Sequence, residues 1–215
     1  MKPFAELLER LLYSPQRNVK LTLLVDYFRS TADPDRGWGL AALTGGLALQ
    51  NAKPALIRDL AASRSDPVLF GWSYDFVGDL AETAALIWPE PEGGTERPWP
   101  HLADVIEGLE RTPKADLPDL VAGWLDALDA TGRWALLKLI TGALRVGVSA
   151  RLAKTALAET FVKPIEAIEE LWQRSGDQLA ITVSGPVTVF EGSNFLLPLM
   201  FVVEPKRGGE ITSAQ

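Results

Sequence analysis

The sequence predicts an all-α protein over residues 1–172, followed by a short tail of different character. Three observations carry this reading. Apolar residues recur at helical spacing from the first residues to Trp172. Prolines, glycines and capping residues punctuate the chain at intervals that suit helices of ordinary length. Only after Trp172 does the composition turn to Val, Thr, Gly and Pro, with strand propensity and few helical signals.

Taken in order, Phe4, Leu7, Leu8, Leu11 and Leu12 form the buried face of a first helix over 3–13, which Ser14-Pro15 ends. Residues 18–29 form a second, with Asn18 as N-cap and Leu21, Leu24, Val25 and Phe28 inward. A turn at Ala32–Asp35 leads to a third, which ends at Thr44-Gly45-Gly46. Pro54–Ala62 is a fourth. Pro67 opens a longer helix running to Pro89, whose stripe is Val68, Trp72, Phe76, Leu80, Ala84 and Ile87. Gly78-Asp79 marks a break in it or a close backbone approach. Residues 89–100 form a solvated loop, and His101–Leu109 and Leu117–Leu128 are helical. Residues 134–154 then give an apolar helix, a glycine-broken loop and a basic helix opened by Ser149. A last helix runs from Pro164 to about Trp172. Residues 173–215 are either a small β appendage or a poorly ordered tail, so a boundary falls near 173.

Of the 215 residues 47% are hydrophobic, enough for a substantial core. No apolar run reaches the roughly 18 residues of a membrane span, and the charged amphipathic start does not read as a signal peptide, so a cytoplasmic protein without a membrane partner is expected. The chain has no cysteine, which excludes disulfides and thiolate metal sites. Its one histidine, His101, reads as a surface residue without metal-ligand spacing, so no metal site is expected.

The net charge of -7 opposes nucleic-acid binding only until it is partitioned. Residues 81–130 carry three basic and eleven acidic side chains. Residues 131–164 carry Arg133, Lys138, Arg145, Arg151, Lys154 and Lys163 against Glu159 alone. A local basic stripe of this kind can bind phosphates on an acidic protein.

That stripe contains the main candidate site. Gly142 and Gly147 free the backbone for close approach, Ser149 suits an N-cap whose helix presents amides to a phosphate, and Arg145 lies between the glycines. The same features also suit an ordinary helix–turn–helix corner with solvated cations. A weaker copy stands earlier: Trp38 through Thr44-Gly45-Gly46 parallels Trp134 through Thr141-Gly142, each followed by a helix with basic residues. Catalytic signals are lacking: there is no P-loop, and Lys114-Ala115-Asp116-Leu117 has leucine where a Lys-x-Asp-Gly nucleophile motif needs glycine.

Lys138-Leu-Ile-Thr-Gly-Ala-Leu-Arg-Val-Gly-Val-Ser149, with Val77-Gly-Asp-Leu-Ala-Glu-Thr83, resembles the N-terminal DNA-binding domain of bacterial ATP-dependent DNA ligases, most of all the kind paired with a β-lactamase-fold exonuclease. Leu24-Val-Asp-Tyr-Phe28 and Leu43-Thr-Gly45 also fit, and the match covers about residues 1–172. The resemblance implies an all-α domain of two pseudo-symmetric halves. It also implies sequence-independent contact with double-stranded or nicked DNA through phosphate and minor-groove contacts on both sides of a nick, in repair, recombination and replication. The contact candidates it gives are Thr44, Gly45, Gly78, Lys138, Thr141, Gly142, Arg145, Gly147 and Ser149, to which charge adds Arg151 and Lys154. Family members continue into a nucleotidyltransferase domain and an OB-fold. Neither is seen in residues 173–215, which would suit a truncated or frame-shifted gene. The chain alone is therefore expected to bind no cofactor and seal no nick, with ATP and Mg²⁺ belonging to a catalytic domain or a separate catalytic chain. The alternative reading is a helical protein–protein adaptor.

Overall fold

The computed structural model describes residues 1–47, 49, 52–90, 98–142, 144–174, 181–182 and 202–203. The described residues form eleven helices: α1 Lys2–Leu12, α2 Arg17–Ser30, α3 Asp35–Leu43, α4 Pro54–Arg64, α5 Pro67–Val77, α6 Leu80–Ile87, α7 Leu102–Arg111, α8 Leu117–Ala127, α9 Ala130–Thr141, α10 Ala150–Phe161 and α11 Ile165–Arg174. The protein is all-α, as expected. The residues described beyond α11 are Ile181–Thr182 (β1) and Val202–Val203 (β2), which pair antiparallel. The rest of the tail lies outside the described residues, and so does much of the loop expected over 89–100.

Helix α9 is the hub. It packs against α1, α4, α6 and α8, and Ala135, Leu136, Leu137, Leu139 and Ile140 are all buried. A helix apolar on nearly every side belongs inside a bundle rather than on its surface. Around it, α2 packs on α10 and α1, α3 on α7, and α10 on α11. Close packing dictates small residues at one crossing: a Cβ on Gly39 would lie 2.3 Å from the Tyr27 hydroxyl, so the approach of α2 to α3 tolerates only glycine there.

Arg133, on the first turns of α9, is 1% exposed. Its Nε donates to the Leu125 carbonyl at 2.8 Å and its Nη1 to Glu90 at 3.0 Å. This guanidinium ties the end of α8 to the segment after α6. The basic stripe of residues 131–164 thus loses its first member to the core.

Helix α7 is capped from far away in the chain. Asp35 accepts the amide of Leu102 at 3.1 Å and that of Ala103 at 2.9 Å, so a residue of α3 serves the start of α7. His101, 80% exposed, has its Nδ1 3.5 Å from the same carboxylate. The surface placement expected of His101 holds. Asp35→Ala is expected to lower stability by about 1–2 kcal/mol, the usual worth of an N-cap carboxylate, as read by urea denaturation.

Four sequence expectations are corrected. Leu12 is 49% exposed rather than buried, and with Tyr13 and Leu86 it lines a groove of 210 Å³ against Trp134. Leu21 is only half-buried. Helix α2 starts at Arg17 with Gln16 at the N-cap, so Asn18 lies inside the first turn. The long helix over 67–88 is two helices, broken at the Gly78-Asp79 position that the sequence marks: Gly78 turns left-handed at φ 73°, and Asp79 caps α6 by accepting the amide of Glu82 at 3.0 Å. The break changes which side chains face inward. Leu80 and Ala84 of the expected stripe are buried, while Val68, Trp72 and Phe76 are exposed.

Candidate nucleic-acid interface

The two Thr-Gly corners are built alike. At the end of α9 the Thr141 hydroxyl donates to the carbonyls of Leu137 at 3.0 Å and Lys138 at 3.3 Å, and Gly142 turns left-handed at φ 67°. At the end of α3 the Thr44 hydroxyl donates to Leu40 at 2.9 Å and Ala41 at 3.4 Å, and Gly45 turns at φ 75°. In each case the hydroxyl shares carbonyls that backbone amides of the last turn also reach, and glycine alone takes the left-handed turn without strain. Both threonine hydroxyls are therefore turned back onto their own helices. What these corners offer a ligand is glycine backbone.

After Gly142 the chain is pinned rather than loose. Val146 is buried, and Lys20 of α2 reaches across to donate its ammonium to the Val146 carbonyl. Gly147 turns at φ 68°. Ser149 then accepts the amide of Leu152 at 3.2 Å as the N-cap of α10, as expected from the sequence. The amides of Ala150 and Arg151 head the helix, where no earlier carbonyl is in reach within it. Arg145 and Arg151 are both exposed. Arg145 in the loop and Arg151 on the first turn of α10 lie near the positive end of the α10 dipole.

The other cations of the stripe are engaged. Lys138 is bound to Asp79 at 2.5 Å and lies over the Trp134 ring, 5.9 Å from its centroid. Lys154 lies 3.6 Å from Glu169 and stacks over Trp172 at 5.7 Å. The Lys138–Asp79 bond brings two of the sequence candidates together, because it holds the Gly78 corner against the last turns of α9. Among the described residues no hydrogen bond or ion pair links the Thr44–Gly45 corner to the loop at 142–149.

Asp79 carries two duties, one oxygen capping α6 and the other holding Lys138. Partial burial works against its ionised form. The Lys138 ammonium and the amides of Glu82 and Ala81 outweigh that, so its carboxyl is held below the ordinary carboxylate value. A depressed pKa contributes stability above the unfolded value of about 3.9, and that stability is lost as pH falls through the folded value. Asp79→Asn keeps the cap and removes the charge. It is expected to cost about 1 kcal/mol at neutral pH and to flatten the acid limb of a stability–pH curve. Parallel acid limbs in the two proteins would show that the pair contributes nothing.

Two residues of the site escaped sequence reading. Lys20 stands 126 residues from its acceptor, and nothing in its own neighbourhood marks it. Arg17 lies one turn before Lys20 on the same helix and is exposed, which puts a further guanidinium on the face of α2 that meets the loop. Among the described residues no group of acidic, histidine or cysteine side chains could hold a metal ion, and no helix is long and apolar enough to cross a membrane. No family model matches the chain, and no curated protein matches it.

Proposed function

We propose that the chain holds duplex DNA, nicked duplex above all, by its phosphate backbone, as the DNA-binding part of an ATP-dependent DNA ligase. The observation that carries this reading is the loop from Gly142 to Ser149. It is pinned by Val146 and Lys20, exposes Arg145, and feeds a Ser149-capped helix whose first turn exposes Arg151. A loop held at Val146, with two guanidinium groups that make no ion pair among the described residues beside the first amides of α10, suits phosphate recognition, since part of the ordering cost is already met in the free protein. Contacts to the phosphate backbone carry no sequence information, so binding is independent of sequence.

The matching Thr44–Gly45 corner supports a second contact of the same kind, and with it the reading of two pseudo-symmetric halves. Lys138 holds Asp79 and the Gly78 corner against the end of α9 rather than meeting phosphate itself, and the Thr141 hydroxyl is turned onto its own helix. Lys154 likewise holds α11. On this reading nick sealing, with its ATP and Mg²⁺, falls to a catalytic domain that carries the Lys-x-Asp-Gly lysine, and the place of action is the DNA of repair, recombination and replication in the cytoplasm.

Affinity for a nicked duplex, measured by fluorescence anisotropy across a salt series, tests the proposal. Binding should weaken steeply with salt, with a slope set by the few phosphates neutralised. A response flat in salt, or no binding at low salt, would end it.

A further inference from the structure

Helix α5 carries an apolar stripe that none of the described residues covers. Val68, Trp72 and Phe76 follow one another at four-residue spacing, and Leu69 lies seven residues before Phe76, so all four share one face. Trp72 is 72% exposed and Phe76 93%, and Val68 and Leu69 are more than half exposed. On the other side of the helix Phe70 is the one buried residue; it stacks with Tyr74, and the Arg58 guanidinium of α4 covers the Tyr74 ring. The helix is thus held by one face while its more apolar face meets water. Single exposed apolar residues are ordinary, but a continuous stripe along a whole helix marks a contact surface.

The charge around the stripe says what would cover it. From Ser65 to Glu90 the sequence has five carboxylates and no lysine or arginine. Asp79 is taken by Lys138 and Glu90 by Arg133. Asp66, Asp75 and Glu82 remain, all exposed. Asp75 lies three residues after Trp72 and seven after Val68, on the edge of the stripe. This rim repels phosphate, so the stripe is not an extension of the DNA surface. We propose that the α5 face docks a basic amphipathic helix of another protein, its apolar residues packed on Trp72 and Phe76 and its lysines or arginines facing Asp66 and Asp75. The four-residue ridge suits a helix, whose own ridges fit the grooves beside it.

The test uses the full chain and an 18-residue peptide of leucine and lysine patterned as an amphipathic helix, with a peptide of the same pattern in which glutamate replaces lysine. Isothermal titration should show the lysine peptide binding, and the glutamate peptide binding at least tenfold more weakly. Trp72→Ser with Phe76→Ser should weaken the lysine peptide at least tenfold while leaving the thermal unfolding midpoint and the affinity for nicked duplex unchanged, and Asp75→Asn should weaken it by a smaller factor. Failure of the lysine peptide to bind, equal binding of both peptides, or equal binding by the double variant would overturn the proposal. Loss of DNA affinity in the double variant would assign the stripe to nucleic acid instead. Sedimentation showing a dimer that the double variant abolishes would assign it to a second copy of the chain.

Discussion

Arg133→Ala is expected to destabilise the protein by about 3–5 kcal/mol, the range for removing a large buried side chain. The substitution leaves a void at the start of α9 and strips the Leu125 carbonyl of its donor at 2.8 Å. An orphaned buried carbonyl alone costs about 1–3 kcal/mol. Glu90 adds little to the loss, because its side chain is 72% exposed and is rehydrated when its partner goes. Urea denaturation should show the midpoint falling with the slope unchanged. The outcome also separates two accounts of the residue. An arginine used only for phosphate would change stability by less than about 0.5 kcal/mol when truncated, as exposed positions do.

Arg133 illustrates how far the sequence carries. It stands in the segment with the greatest positive excess, and its charge alone does not distinguish it from Arg145 twelve residues later. What separates them is distance in the chain: Arg133 meets Leu125 and Glu90, whereas Arg145 meets solvent. Local signals were legible where local physics decides. Ser149 caps α10, Gly142 ends α9, and Asp79 caps α6 as its type suggests. Asn18 misled because any polar residue near a helix start resembles a cap, and here neither it nor Gln16 makes a side-chain cap bond.

The α5 stripe was legible as a stripe but not as an exposed one. Helical periodicity identifies a face that prefers to be covered, and it says nothing about whether the covering comes from the same chain. The sequence shows one stripe from Val68 to Ile87 with a break or a close backbone approach marked at Gly78-Asp79, and which part of it reaches the core depends on that break. The left-handed turn at Gly78 sends the two parts along different axes, so Leu80 and Ala84 reach the core and Trp72 and Phe76 do not. The engaged lysines were illegible for the same reason as Arg133: Lys138 finds Asp79 59 residues away, across the contact of α9 with α6.

Arg145→Ala combined with Arg151→Ala is expected to remove most of the DNA affinity. Each contact to phosphate that is shielded from water is worth about 1–3 kcal/mol, so the pair together weakens binding by roughly two to four powers of ten at moderate salt. The slope of log affinity against log salt should fall by about 2, one unit for each cation removed. Both residues are exposed and make no ion pair among the described residues, so unfolding should be unaffected. Lys138→Ala gives the contrast. Its ammonium is committed to Asp79, so its removal should lower stability while leaving the salt slope in place. If the double variant binds as the parent does while Lys138→Ala alone reduces the slope, the phosphate contacts lie at the Gly78 corner and the loop is only a turn between helices. If both leave the slope unchanged, the excess positive charge of residues 131–164 serves the fold alone, and DNA is not the ligand of this face.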